Sequence, residues 1–591
     1  MTERFKHITR KYGIRMLIVV LSMVFLCTYI DRKEGFHMDE ILAFQLSNAE
    51  YNPWIVPTQP VGRLAKFMNE HIDGETVGET VSNICYIVKD TLTKRGGSIL
   101  ATYKADVYET PTWISKEMFQ AYVQCDAKDD FNLLSVYFNV KDDNHPPVHF
   151  MLLHLMNSIF KGEINVWHGA VINLAAMAVT LWILGLVGDI LFQNKKSSIV
   201  LMLLFGFSTA IVASTIWIRM YALLTLWVVW ILYLHLRKYA KVNEDSFARI
   251  KPQSGKAKWI GSLGILSVTA ISFWTQYFGL FFILPLAFVT VVLLWKEKRI
   301  QELWAYIRTM VTAAVVGICV YPFAVGDVLF SSRGTEALSQ WKNGFTEYID
   351  RFVAFGRILA ENVAGGVFVF LMLVLIPLVI LIVTMFGKKK KAEGCTGYAL
   401  FGMCLIPAIV YFLLAAKMSP YFVDRYIMAI FPVTSLIIVW LWDRAISCLT
   451  GKKLVTALVA GTVVLVSVWQ GMMWKDGHTY LYAGYKEQLE VAEEYSQYPL
   501  VCYYDGYGFY ENVMEMERYE QSLLIKRGEL EKIEDDRKIV TQQGYVALIK
   551  YPGEEAGKEQ LVAVMNVFGG MTADLLYEGG AFGDAIYLVY P

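Results

Sequence analysis

Apolar stretches of membrane-spanning length recur along the chain, near 16–30, 166–192, 197–217, 220–236, 259–275, 277–295, 304–325, 361–387, 397–416, 425–443 and 454–473. They predict about eleven transmembrane helices. The breaks between them alternate in character. The N-terminus, Lys195-Lys196, Arg237 to Lys258, Lys296 to Arg299, Lys388 to Lys391 and Lys452-Lys453 are basic, and the intervening short breaks are poor in Lys and Arg. Because Lys and Arg accumulate on the cytoplasmic side, the basic set lies inside and the other set outside. The basic Met1–Arg15 followed by apolar Met16–Ile30 has the outline of a secretory signal, but no small-x-small cleavage site follows, so residues 1–30 read as an uncleaved signal-anchor span.

The same charge parity settles His145–Phe160, which is short for a span and carries His145, His149 and His154. Counting it as a span would put every later basic loop on the wrong side, so it is expected to lie flat on the outer surface as a helix begun by Pro146-Pro147. Residues 31–165 then form a long external loop with juxtamembrane helices, of which Thr80–Leu92 and Lys116–Val123 are examples; a loop of that length is usually functional. A second external loop, 326–361, contains Arg333, Trp341 and Tyr348 and is placed to close over a substrate. Residues 166–475 hold the transmembrane bundle. After about residue 476 the pattern changes: Pro499–Tyr504, Tyr545–Lys550 and Ala585–Tyr590 read as buried strands, with helix-like Gly508–Tyr519 and Glu559–Phe568 between them. This predicts a small extracytoplasmic α/β domain over 476–591.

Composition agrees with a polytopic α-helical membrane protein: of 591 residues 55% are apolar, 14% aromatic and only 18% charged. The formal net charge is zero, so no global basic field points to nucleic acid. The cysteines form no CxxC pair or zinc-like spacing; Cys85 and Cys125 share one loop, and spacing leaves a disulfide between them open.

Chemistry concentrates just beyond the first span, in Phe36-His37-Met38-Asp39-Glu40. An acidic pair at the membrane boundary is costly to desolvate unless chemistry or a cation accounts for it. The plainer account is that Asp39 and Glu40 start a helix running through Ile41–Phe44, since acidic residues suit a helix N-terminus.

Further patterns occur in order: Asp143-Asn144-His145-Pro146-Pro147-Val148-His149 before the second span, Ile218-Arg219-Met220-Tyr221, Thr275-Gln276-Tyr277-Phe278-Gly279, and Asp424-Arg425-Tyr426 before Phe431-Pro432. Together with Phe36–Glu40 they resemble the GT-C superfamily of membrane glycosyltransferases, in particular family-39 enzymes, the bacterial relatives of protein O-mannosyltransferases and of the aminoarabinose transferase of lipid A. The resemblance runs from the N-terminus to about residue 445. It departs from the family pattern at Val148-His149, where an aromatic residue or Leu is usual, and at Ala170–Asn173, where the family often has an Arg.

The resemblance implies a multi-pass enzyme of the cell membrane that moves a sugar, with inversion, from a polyprenyl-phosphate carrier to an extracytoplasmic acceptor: a protein, a lipid or a cell-surface glycan. Asp39 would be the catalytic base, with Glu40 its helper. Arg425, then Arg219, would hold the donor phosphate, with the Tyr221 phenol beside them. The competing account of both arginines is that they snorkel to lipid headgroups. His145, Asp143 and His37 would support the site. His37, Glu40 and His145 are also candidates for a divalent-metal site, as some relatives hold a metal near the catalytic carboxylate, but no spacing joins His145 to His37 and the sequence requires no cofactor. Two other classes compete: a polyprenyl-lipid or sugar transporter or flippase, and an inactive lipid-binding scaffold. A transporter should carry paired repeats or mid-span charges. Here the strongest polar residues fall at outer span ends, and the acidic residue is present.

Overall fold

The structure is a computed structural model describing residues 2–48, 63–103, 111–192, 195–239, 255–329, 339–342, 344–387, 395–448, 461–462, 479–506, 508–533, 544–550 and 554–591. The chain divides into two compact units. A helical unit takes Met1–Tyr29, Asn144–Val148 and Val171–Lys475; a mixed unit takes Ile30–Asp143, His149–Ala170 and Asp476–Pro591.

Among the described residues, 7 helices are long and apolar enough to cross a membrane, and a pair bent by 52° raises that to 8. The bent pair, Lys196–Gly206 with Thr209–Ile216, occupies the stretch expected to be one span at 197–217. The break has a local cause: Ser208 adopts an extended backbone and its Oγ accepts from Ile211 N, so a new helix begins there. The stretch expected at 361–387 is also two elements. Phe345–Ala364 ends on Gly365, whose φ of 70° is left-handed, and Val367–Gly387 starts afresh. Much of the expected loop 326–361 is therefore helical, with the Tyr348 hydroxyl donating to Leu413 O at 3.1 Å and Trp341 exposed. Arg333 and the expected span 454–473 lie outside the described residues.

The helices pack in neighbouring pairs: Leu280–Lys296 against Cys395–Met418, Tyr221–Tyr239 against Gly255–Thr275, and Val367–Gly387 against Phe431–Cys448. One buried charge within this unit is paired with an opposite one. Arg15, on helix α1 (Thr2–Ile30), donates to Asp189 at 2.7 Å, and Ser198 Oγ donates to the same carboxylate at 3.1 Å.

The mixed unit joins what the boundaries at 165 and 476 separate. Its sheet has six strands, β1 (Thr112–Ser115), β2 (Leu500–Tyr504), β3 (Gln521–Lys526), β4 (Tyr545–Ile549), β5 (Thr572–Gly579) and β6 (Asp584–Tyr590), in the order β1-β3-β2-β4-β6-β5. The central strand β2 is parallel to both β3 and β4, and the flanking pairs are antiparallel. Strand β1 comes from the first loop and pairs with β3 from Thr112↔Leu524 to Ser115↔Gln521, so loop and C-terminal segment share one sheet. Strands β2 and β4 are buried at every position, which explains their unbroken apolar sequence. Helix Glu554–Phe568 covers one face through Leu561, Val564 and Phe568 against Val501, Ile525, Ala547 and Val589. Cys85 and Cys125 are both free thiols.

At the C-terminal end of the sheet lies a buried polar network. Asn512 Nδ2 donates to Glu515 at 2.7 Å and to Asp584 at 2.8 Å, and Gln488 Nε2 donates to the same two carboxylates at 2.8 and 3.0 Å. Lys550 Nζ lies 2.9 Å from Asp584 and 3.3 Å from Glu511. Burial pushes the Glu515 carboxyl up from 4.5 to about 8; the Asn512 bond opposes this and the Asp584 charge adds to it. A carboxyl that holds its proton more tightly when folded adds stability that is complete below about pH 4.5 and is lost as the pH rises toward 8. Hydrogen exchange of the β2 and β4 amides in the full chain is therefore expected to quicken from pH 5 to pH 8 beyond the intrinsic exchange rate. Glu515→Gln should flatten that trend; an unchanged pH dependence would assign it to other groups.

Candidate active site

In the mixed unit the acidic pair sits at the start of helix α2 (Met38–Leu46). His37 is its N-cap, extended at φ −71° and ψ 155°, and His37 Nδ1 accepts from Asp39 N at 3.0 Å. Glu40 Oε2 accepts from His37 N at 2.8 Å, which completes a capping box with His in the place of the usual Ser or Thr. A ring nitrogen that accepts carries no proton, so His37 is the Nε2–H tautomer while this cap is closed.

The two carboxylates then diverge. Glu40 is fully buried and its Oε2 also receives Lys33 Nζ at 2.9 Å, both side chains being 0% exposed. Asp39 keeps 31% of its side chain exposed, with Oδ2 3.6 Å from His37 Nδ1. Both residues lie in the capped first turn, where Glu40 serves the cap and the ion pair and the Asp39 carboxylate stays partly exposed beside His37. Asp143 is half-buried, its N–H closing the turn on Val140 O at 3.1 Å.

Helix Val148–Ile159, the expected surface helix, has 12 residues and is too short to span a bilayer. Its buried face carries polar groups, which periodicity did not foresee. His154 Nδ1 lies 2.8 Å from Ser47 O and its Nε2 3.1 Å from Asp129 O, and Asn157 donates to Ser47 Oγ at 3.3 Å. Burial lowers the His154 pKa, and the bonds to those two carbonyls oppose the shift. Its neighbour His149 is also buried, against the Phe150 ring. Among the described residues no group of three or more His, Cys, Asp or Glu is arranged to hold a metal ion. Glu40 Oε2, one of the metal candidates, is occupied by Lys33 and His37 N.

In the helical unit both arginines attach to one turn. Helix Thr209–Ile216 ends at Trp217, whose carbonyl accepts from Arg219 N at 2.8 Å and from Asn173 Nδ2 at 2.6 Å. The next helix, Tyr221–Tyr239, begins with buried Tyr221. Asn173 thus satisfies carbonyls freed by the helix break, including Thr215 O at 3.1 Å. Arg219 is only 3% exposed, and its Nη2 is 3.4 Å from His145 Nδ1; since Arg can only donate, His145 accepts there. Arg425 comes from the turn Asp424–Tyr426 and lies over two rings, with Cζ 5.6 Å from the Trp217 centroid and 5.4 Å from that of Tyr426. Stacking fixes the plane of a guanidinium while leaving its edge N–H groups to donate. Trp217 and Lys33 were not legible as site residues: an apolar Trp within a span and a Lys after one look ordinary until their partners are known.

No family model and no curated protein matches the sequence. Among solved structures, the chain is similar to ArnT from Cupriavidus metallidurans bound to undecaprenyl phosphate, at 11% identity over 98% of both chains with a TM-score of 0.48. It is also similar to apo ArnT from the same organism, at 11% identity over 75% of this chain and 87% of that one, with a TM-score of 0.43.

Proposed function

We propose that the protein transfers a sugar, with inversion, from a polyprenyl-phosphate carrier to a hydroxyl-bearing acceptor outside the cytoplasm. The observation that carries this reading is the division of the acidic pair: Glu40 is fully buried against Lys33, whereas the Asp39 carboxylate, beside His37 at the capped turn, keeps 31% of its side chain exposed. In the reaction Asp39 takes the acceptor hydroxyl proton as that oxygen attacks the anomeric carbon. The bond from that carbon to the phosphate oxygen breaks on the opposite face, and its electron pair leaves with the phosphate. Charge on that phosphate grows as the bond breaks, so cations beside it stabilise the transition state more than the ground state. Arg425 and Arg219 take that role, with His145 holding Arg219 in place, and the Tyr221 phenol is a further candidate donor to the phosphate. His37 orients the base through the cap, and Asp143 supports the segment leading to His145. Undecaprenyl phosphate, the lipid bound in the ArnT structure, is the carrier to try first. The same reading places the protein in the cell membrane with the N-terminus cytoplasmic and the C-terminal segment extracytoplasmic.

The test is sugar release from a panel of radiolabelled polyprenyl-phosphate sugars by the purified chain in nanodiscs, with hydroxyl acceptors supplied. Turnover of at least one donor is expected. A folded protein that turns over none, yet moves labelled lipid between leaflets in a flux assay, would replace this reading with transport.

A further inference from the structure

The segment just before the base, Lys33-Glu34-Gly35-Phe36, is bound by a part of the chain more than four hundred residues away. Lys33 Nζ, besides pairing with Glu40, donates to Tyr480 O at 2.8 Å and lies 4.6 Å from the Tyr482 ring centroid. Glu34 N donates to Leu481 O at 2.8 Å. The Glu34 carboxylate accepts from Gly484 N at 2.7 Å and from Lys486 N at 3.4 Å, at the N-terminus of helix Tyr485–Glu494, where anions are favoured. Gly35 lies flush on the same segment: a Cβ there would come within 2.7 Å of Tyr485 Cδ1 and 3.2 Å of Tyr482 Cβ. Tyr485 in turn donates to Glu511 O at 3.1 Å, and the turn Gly508–Asn512, anchored by the Asn512 network, packs against α2. The far end of α2 is held as well, through Ser47 and His154.

We infer that residues Tyr480–Tyr485 of the C-terminal segment form a clasp on the base-bearing turn, and that Lys33 and Glu40 are positioning residues that set the Asp39 carboxylate through it. This inference rests on Asp39 being the base. The physical link is one oxygen: Glu40 Oε2 receives both Lys33 Nζ, which is tied to Tyr480, and His37 N, which opens the turn carrying Asp39. The C-terminal domain is then part of the catalytic machinery in addition to whatever it does for the acceptor. Position matters because a reacting group misplaced by about 1 Å costs on the order of a hundredfold in rate.

The test uses the full chain in nanodiscs and measures sugar transfer from radiolabelled polyprenyl-phosphate sugars, together with binding of polyprenyl phosphate. Lys33→Met combined with Glu40→Gln removes the ion pair without leaving a lone buried charge and keeps a residue suited to the cap. The expected result is a kcat about 10- to 100-fold lower with donor KM and lipid affinity unchanged. Glu34→Ala, which cuts the half-buried link to Gly484 and Lys486, should lower kcat about threefold in the same selective way, and it decides the matter if the paired variant does not fold. Full kcat in the folded variants, with Asp39→Asn inactive, would overturn the clasp and leave the proposed reaction standing. Parallel loss of kcat and donor affinity would also overturn it, as the mark of general loosening. Retained transfer in Asp39→Asn would instead remove the base itself.

Discussion

Asp39→Asn is expected to leave the protein folded and its polyprenyl-phosphate affinity unchanged while lowering turnover about 10²- to 10⁴-fold, the range a positioned general base contributes. The substitution is nearly isosteric, and the groups that close the first turn of α2 are His37 Nδ1, the backbone of Asp39 and Glu40 Oε2, none of which it removes. It also leaves the buried Lys33–Glu40 pair intact. The loss of one negative charge at a helix N-terminus costs about 0.3–1 kcal/mol, small beside the loss of a proton acceptor in the reaction. Glu40→Gln alone should behave in the opposite way, impairing stability first, because it leaves Lys33 buried without its partner. Thermal unfolding, lipid binding and transfer measured on both variants separate the neighbours. Asp39→Asn with wild-type turnover would remove Asp39 from the mechanism.

Asp39 stood out in the sequence as the candidate base because an acidic pair beside a span is expensive and few roles account for it. What the sequence did not reveal is how the pair divides. That depends on Lys33 meeting Tyr480 O, a contact across 447 residues of chain that no periodicity encodes. Strands β2, β4 and β6 were legible as short apolar runs because they are buried. Strand β5 escaped notice because it lies at the sheet edge, with Thr572, Asp574 and Leu575 all exposed and a bulge at Leu575–Tyr577. Strand β1 escaped because four residues of a loop acquire strand character only by pairing with β3. Apolar helices were legible from hydropathy, yet the breaks at Ser208 and Gly365 were not, since an apolar run reads the same whether it is one helix or two. The helix that starts at the first of the breaks leads to Trp217, whose carbonyl accepts from Arg219 N and whose ring lies under Arg425.

That junction gives the second large effect. Arg425→Ala is expected to weaken polyprenyl-phosphate binding about 10- to 100-fold, the equivalent of a hydrogen bond to a charged group at roughly 1.5–3 kcal/mol. It should also lower kcat, because the interaction strengthens as charge moves onto the leaving phosphate. Arg425→Lys keeps the charge but neither the planar fork nor the stacking on Trp217 and Tyr426, so it should recover only part of the loss. Arg219→Ala acts at the same turn, and the double variant should depart from the sum of the two single losses, since both side chains are proposed to hold one phosphate. If Arg425 only snorkels to lipid headgroups, the Ala variant will bind polyprenyl phosphate as the wild type does, and the two arginines will combine additively in stability with no effect on the donor. A titration of labelled polyprenyl phosphate against the four proteins in nanodiscs distinguishes the two cases: shared loss of affinity joins the Trp217 turn to the phosphate, and unchanged affinity returns both cations to the bilayer surface.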